Sequence, residues 1–199
     1  MQNSPSLPCV GLLLAAGRGR RFDSAGGRDK LLQVLPDGRT IAATAAANLL
    51  AAVSTVVAVV RPDAPLLTHE LEALGCEMLT CKNADDGMAT SLTNGLAHTA
   101  NATGWVIALA DMPYVQPATI SALVAALAQG ADIAVPTYHG LRGNPVAFGP
   151  THLPQLLRLA GDEGARSLMQ HITVTEVMVD DPGIRHDIDT PDDLRPLAQ

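Results

Sequence analysis

Short, uninterrupted apolar runs alternate along this chain with longer stretches whose apolar positions recur every three or four residues. Residues 9–14 (CVGLLL) form the first run. An apolar run of this length without polar alternation predicts a β-strand buried on both faces. The Ala-rich stretch 40–53 predicts a helix, and the β-branched segment 54–60 a second strand. Asp63 is placed to cap the next helix, with Leu67, Leu71 and Leu74 on one face and Gly75 at its end. Residues 76–81 predict a weaker third strand, and Met88, Leu92 and Leu96 mark another helical face. The run 105–110 is a fourth strand that ends at Asp111. Pro117 opens a helix carrying Ile120, Leu123, Val124 and Leu127, and Gly130 closes it. Residues 132–136 and 144–148 predict a returning pair of strands. Two short helical stretches follow, 151–160 and 162–170, and then a strand over 172–179. Thr190, Pro191 and Asp193 supply a cap, a first helical residue and a third-position acid.

Strand–helix alternation of this kind predicts an α/β domain with a mainly parallel sheet. Such sheets bind ligands beyond the carboxyl ends of their strands. The residues just after strands 1 and 4 are therefore the first places to look for chemistry.

A chain of 199 residues, 47% hydrophobic and 17% charged, has the composition of one globular domain of ordinary size. It needs neither disulfides nor a structural metal to fold. A net charge of −7 with only 3% aromatic residues excludes a general nucleic-acid surface. The three cysteines, Cys9, Cys76 and Cys81, form no C-x-x-C. Ordinary thiols explain them better than a metal cluster of Cys76, Cys81 and His69. The run 10–16 is too short to span a bilayer and lacks a basic flank before it, so the expectation is a cytoplasmic protein without a membrane partner.

After strand 1 comes LAAGRGRRFDSAGGRDK (14–30), with Arg18, Arg20, Arg21, Arg28 and Lys30, five of the 13 formal cations. An acidic chain that gathers cations around glycines is suited to a small polyanion. Gly17 and Gly19 let backbone N–H groups approach phosphate oxygens, and Arg21 and Lys30 can neutralise the outer phosphates. The alternative is a solvated basic loop. The pattern is not a dinucleotide fingerprint, because Arg21 stands where a small residue is needed, and no G-K-[ST] is present. Asp111 fits either a turn or, beside a polyphosphate, a Mg²⁺ ligand. Segment 180–193 holds six aspartates, of which Asp187 or Asp189 can supply a second carboxylate. Gly87 and Ser91 lie near a helix start and suit either capping or nucleoside contacts. Arg166 stands at another helix start, where an anion is welcome.

The motifs LAAGRGRRF with Lys30, GMATSL, ALADMP, RGNPVAF, GDEGAR and DIDTPDDL occur in the order seen in the MobA-like nucleotidyltransferases. The resemblance spans about residues 9–196 and is closest to the molybdenum cofactor cytidylyltransferases. It implies a Rossmann-like, glycosyltransferase-A-like three-layer α/β sandwich. It implies one domain over 1–199, with a nucleotide-binding part at about 9–135 and an acceptor-binding part at about 136–196. The implied reaction transfers a nucleotide from an NTP to a phosphate monoester, the molybdopterin cofactor, with release of pyrophosphate. By position, Leu14, Ala15, Ala16, Gly17 and Gly19 would cradle the nucleotide, with Gly87 and Ser91 beside the nucleoside. Arg21 and Lys30 would hold the phosphates and Asp111 the Mg²⁺. Asp187 would be the second metal ligand, with Asp189 as its rival, and Asn144 and Arg166 would face the acceptor.

The chain departs from the family pattern in three places. Asp23 replaces a glycine, Lys30 comes about four residues late, and Asn144 stands where His is frequent. In the resembling family, members that take CTP read L-A-A-G after strand 1 and those that take GTP read L-A-G-G. Leu14-Ala15-Ala16-Gly17 thus implies CTP in preference to GTP. The rival readings are an isoprenoid-type or sugar-phosphate nucleotidyltransferase, a dinucleotide-binding oxidoreductase, and a non-catalytic nucleotide sensor.

Overall fold

Eight strands form one sheet in the computed structural model, which describes residues 8–23, 25, 27–161, 164–170 and 172–194. They are β1 (Val10–Ala15), β2 (Val56–Val60), β3 (Glu77–Thr80), β4 (Trp105–Leu109), β5 (Ile133–Tyr138), β6 (Leu141–Arg142), β7 (Val146–Phe148) and β8 (Thr175–Met178). The order is β3-β2-β1-β4-β7-β5-β6, with β8 also paired to β5. Strands β1 to β4 run parallel to one another, β7 lies antiparallel between β4 and β5, and β8 is parallel to β5.

Helices α1 (Ile41–Leu50), α2 (Pro65–Ala73) and α4 (Pro117–Ala128) pack on one face with Leu13, Ala58, Val60 and Val106. Helices α3 (Met88–His98) and α5 (Leu153–Leu156) pack on the other face with Leu12, Val57 and Ile107. Successive strand residues point to opposite faces. With both faces covered, no polar position is tolerated, which is why β1, β2 and β4 read as continuous apolar runs. The result is the expected three-layer α/β arrangement with a parallel core.

Several expected local features differ. Helix α1 ends at Leu50. Asp63 does not cap α2: the cap position is Ala64, without a side-chain hydrogen bond. Arg18 and Arg61 take the Asp63 carboxylate instead, since two guanidinium groups attract it more strongly than one amide. Leu74 lies past the end of α2 and is 40% exposed. The stretch 151–160 condenses to a 3₁₀ turn at Pro150–His152 and the single turn of α5. The second helical stretch becomes a 3₁₀ segment over Ala165–Gln170, with 162 and 163 outside the described residues.

The chain leaves β1 in one direction across the sheet and returns in the other through β4, so β1 and β4 diverge from a switch point. The loops after these two strands lie side by side there. The Ala110 N–H donates to the Leu14 carbonyl at 3.1 Å, and the Ile188 N–H to the Asp111 carbonyl at 2.9 Å. The second bond lays the Asp187–Asp189 segment against the end of β4. Gly183 makes this docking possible, since a Cβ there would sit 2.1 Å from the Tyr114 carbonyl oxygen. Asp181 secures it. Its buried carboxylate accepts from the Gln116 N–H (2.9 Å), the Thr119 hydroxyl (2.6 Å) and the Gly183 N–H (2.9 Å). An acid from the C-terminal segment thereby caps α4.

Candidate active site

The loop after β1 is held at both ends. Phe22 is buried, and the N–H groups of Phe22 and Asp23 both donate to the Gly19 carbonyl, at 2.9 and 3.2 Å. Gly19 has φ +60°, and a Cβ there would lie 2.9 Å from the Cβ of Lys30, so only glycine fits. The departure at Asp23 has a local purpose. Its carboxylate accepts from the Ala25 and Arg28 N–H groups at 3.0 and 2.8 Å and so shapes the extra residues before Lys30. Asp29 then caps the 3₁₀ turn Lys30–Leu32 through the Leu31 N–H at 3.0 Å.

This turn directs Lys30, almost fully buried, at the end of β4. Its Nζ lies 2.7 Å from Asp111 Oδ2 and 3.1 Å from Asp189 Oδ1, and Arg21 Nη1 reaches Asp189 Oδ2 at 2.9 Å. Burial opposes the charge on Lys30, but Asp111 and Asp189 outweigh it and hold the ammonium above its ordinary pKa. Burial likewise opposes the Asp189 carboxylate, and Lys30 and Arg21 overcome it, keeping the group below the usual range.

Leu14, Ala16, Gly17, Gly19, Gly87 and Ser91 line one cavity of about 340 Å³, with Lys30 and Asp111 in its wall. Ala15 is fully buried in β1 and does not line it. The N–H groups of Gly17, Arg18, Gly19, Arg20 and Arg21 donate to no other described residue. Successive free amides of this kind form an anion cradle. Helix α3 starts at the same cavity, with Gly87 at φ +114° and no side-chain cap on its amides. Asn144 lines further cavities, of which two are large enough for a ligand group. One, of about 290 Å³, includes Leu14 and Met88, and the other, of about 230 Å³, includes Arg142, Arg185 and Asp187. Asp187 is exposed and faces that last cavity, whereas Asp189 joins Lys30. The side chain of Arg166 lies outside the described residues.

Sequence reasoning did not find two participants, Arg61 and Arg185, and it counted Arg18 among the cations gathered for a polyanion, whereas Arg18 is bound to Asp85 and Asp63. Arg61 holds Asp29, Asp63 and the Gly17 carbonyl. Arg185 lines the cavity with Asn144. Arg61 directly follows β2, so the rule that pointed to the ends of β1 and β4 would also have found it. Arg18 and Asp85 come from distant loops and carry no spacing signal.

The comparisons with known proteins agree with this architecture. The profile of the MobA-like NTP transferase domain matches residues 11–177. The purine catabolism protein PucB of Bacillus subtilis (strain 168) is 30% identical over 200 residues, covering 92% of this chain and 93% of that protein. The crystal structure of Rv0371c from Mycobacterium tuberculosis H37Rv is 28% identical with a TM-score of 0.80, covering 94% of this chain and 96% of that one. The same mycobacterial protein in complex with manganese has a TM-score of 0.77 at 28% identity, covering 93% and 95% of the two chains. The molybdopterin-guanine dinucleotide biosynthesis protein A of Archaeoglobus fulgidus shares the fold, with a TM-score of 0.67 at 21% identity over 93% and 94% of the two chains. The family match places the chain with the nucleotidyltransferases. The chain belongs to the MobA-like NTP transferase domain family.

Proposed function

We propose that the protein transfers CMP from CTP to the phosphate monoester of molybdopterin, with Mg²⁺ and with release of pyrophosphate. One observation carries the reading. Lys30 joins Asp111 and Asp189 at the wall of a cavity whose loop offers five amides without a partner among the described residues. An acceptor phosphate oxygen attacks the α-phosphorus in line. The bond from that phosphorus to the oxygen bridging to the β-phosphorus breaks, and pyrophosphate leaves. This asks the protein for positioning and charge neutralisation rather than covalent chemistry. An ammonium has three donors. Two are engaged by Asp111 and Asp189, and the third is available to a phosphate oxygen. Arg21 adds a second cation on the far side of Asp189.

The residues fit a divalent cation. Asp111 presents a quarter-exposed carboxylate whose Oδ2 is held by Lys30, and Asp187 lies two residues before Asp189 on the docked segment. Asp189 already faces two cations, which favours Asp111 with Asp187 as the carboxylate pair. Among the described residues no group of three or more His, Cys, Asp or Glu could hold a metal. Mg²⁺ is usually held by one or two carboxylates together with substrate phosphates. When bound, it would neutralise charge on the phosphates.

Ala16 lines the cavity, and with the base laid along this backbone its methyl would take space that a purine's second ring needs. For the acceptor, Asn144, Arg142 and Arg185 flank the cavity beyond Asp187. The test is a matrix of CTP and GTP against molybdopterin, methylerythritol phosphate and a sugar phosphate, following pyrophosphate release. The reading expects the largest kcat/KM for CTP with molybdopterin. Equal or faster turnover with another acceptor rejects the acceptor assignment.

A further inference from the structure

Arg61 is the first residue after β2, and its side chain is 11% exposed. It holds three groups at once. Nη1 donates to the Gly17 carbonyl at 3.0 Å, Nη2 donates to the Asp29 carboxylate, and Nε lies 3.1 Å from Asp63. Gly17 begins the loop that follows β1, and Asp29 ends it. Asp29 is itself fixed, its Oδ1 accepting from the Leu31 N–H at 3.0 Å and its carbonyl from the Gln33 amide at 2.7 Å. One buried guanidinium therefore ties both ends of the loop to the end of the neighbouring strand.

The bond to Gly17 fixes an orientation as well as a position. Gly17 lines the nucleotide cavity but Arg61 does not, so the Gly17 carbonyl is turned away from the cavity. The carbonyl and N–H of a trans peptide plane point in opposite directions. The N–H of that plane belongs to Arg18 and has no partner among the described residues. Nothing local imposes this orientation. Gly17 carries no side chain, and a Cβ at its position would meet nothing within 4 Å. A glycine in open space rotates freely, so its peptide plane must be set from outside.

We propose that Arg61 is a positioning residue for the nucleotide triphosphate. By holding the Gly17 carbonyl, it aims the Arg18 N–H and the free amides after it at the phosphates. The inference rests on the nucleotide site proposed above, and Arg61 itself touches no ligand. Its fork geometry matters, because a lysine ammonium cannot span the Gly17 carbonyl, Asp29 and Asp63 with fixed planar donors.

The test is equilibrium titration of wild type, Arg61→Met and Arg61→Lys with CTP and with cytidine in Mg²⁺, with Tm recorded for each variant. Misdirected amides cost hydrogen bonds to a charged ligand, so Arg61→Met should weaken CTP binding about 10- to 100-fold. Cytidine has no phosphate, and its affinity should stay at the wild-type value. Arg61→Lys should fall between and carries the comparison if Arg61→Met does not fold. Unchanged CTP affinity in the variants overturns the inference, and so does an equal loss for CTP and cytidine, which would mark a merely structural staple. Wild type that binds no CTP contradicts the proposed function, and this inference with it.

Discussion

The Nζ of Lys30 lies 2.7 Å from Oδ2 of Asp111, although the two residues are 81 positions apart. The contact joins the end of the loop after β1 to the end of β4. In the proposed reaction it sets the ammonium assigned to phosphate charge against the carboxylate assigned to the cation. The expected behaviour of both residues follows from that contact.

Asp111→Asn keeps the shape of the side chain and most of its packing, but it removes the negative charge. The fold should persist, and turnover should be lost at every Mg²⁺ concentration. The check pairs circular dichroism with a pyrophosphate-release assay over a Mg²⁺ titration. Activity near the wild-type level would reject the assignment.

Lys30→Ala should lower the rate by about 10²–10³, the usual cost of one preorganised charge-stabilising donor. Lys82, the other lysine in the chain, is exposed, and Lys82→Ala is the control. Similar kinetics for the two variants would remove any special role from Lys30. The pH signs are fixed by the pair shifts. The raised Lys30 pKa gives stability that is full below the unfolded value of about 10.4 and lost as pH rises through the folded value. The lowered Asp189 pKa gives stability that is full above about 3.9 and lost as pH falls through the folded value. The Tm gap between wild type and Asp189→Asn should thus be full at pH 6 and shrink below about pH 4. A gap that is flat down to pH 2 would contradict the ion pair.

Ala16→Gly should narrow the preference for CTP over GTP. One methyl discriminates by about 1–3 kcal/mol, or roughly 10–200-fold, so the effect is a preference and not an exclusion. Steady-state kcat/KM for both nucleotides with one acceptor decides it. A wild type that prefers GTP, or a ratio that Ala16→Gly leaves unchanged, would show that this methyl does not read the base.

Asp181→Ala should destabilise the fold by about 2–3 kcal/mol, because it strands the Gln116 and Gly183 N–H groups and the Thr119 hydroxyl. For a chain of this size that is about 5–10 °C in Tm. Thermal unfolding by circular dichroism measures it, and a shift below about 1 °C would mean that water replaces the carboxylate without cost.

What the sequence made legible, and what it hid, follow from the range of the forces involved. The apolar runs of β1, β2 and β4 identify buried parallel strands because burial on both faces forbids polar positions. The pairing of Thr190 with Asp193 is legible because its bonds are local, although both run one way: Asp193 accepts from the Thr190 N–H at 2.7 Å and from its hydroxyl at 2.8 Å. Asp181 reads as one acid among six, since its partners Gln116 and Thr119 lie more than 60 residues away. Asp63 shows the reverse error. Its spacing suits a helix cap, but folding brings Arg18 and Arg61 beside it. The cations around Gly17 and Gly19 are visible in sequence, but their division of labour is not. Arg18 pairs with Asp63 and Asp85, Arg28 lies 3.7 Å from Asp23, and Lys30 and Arg21 meet Asp189 at the site.

The fate of the α-phosphate separates nucleotidyl transfer from every other use of CTP. The protein is incubated with CTP, Mg²⁺ and molybdopterin, and the products are followed by mass spectrometry and phosphorus NMR. Nucleotidyl transfer should give one pyrophosphate for each acceptor consumed and a product in which the CMP phosphorus is joined to the acceptor phosphate through a new P–O–P bond. Free CMP formed without acceptor, or unchanged CTP with every phosphate monoester supplied, would contradict it.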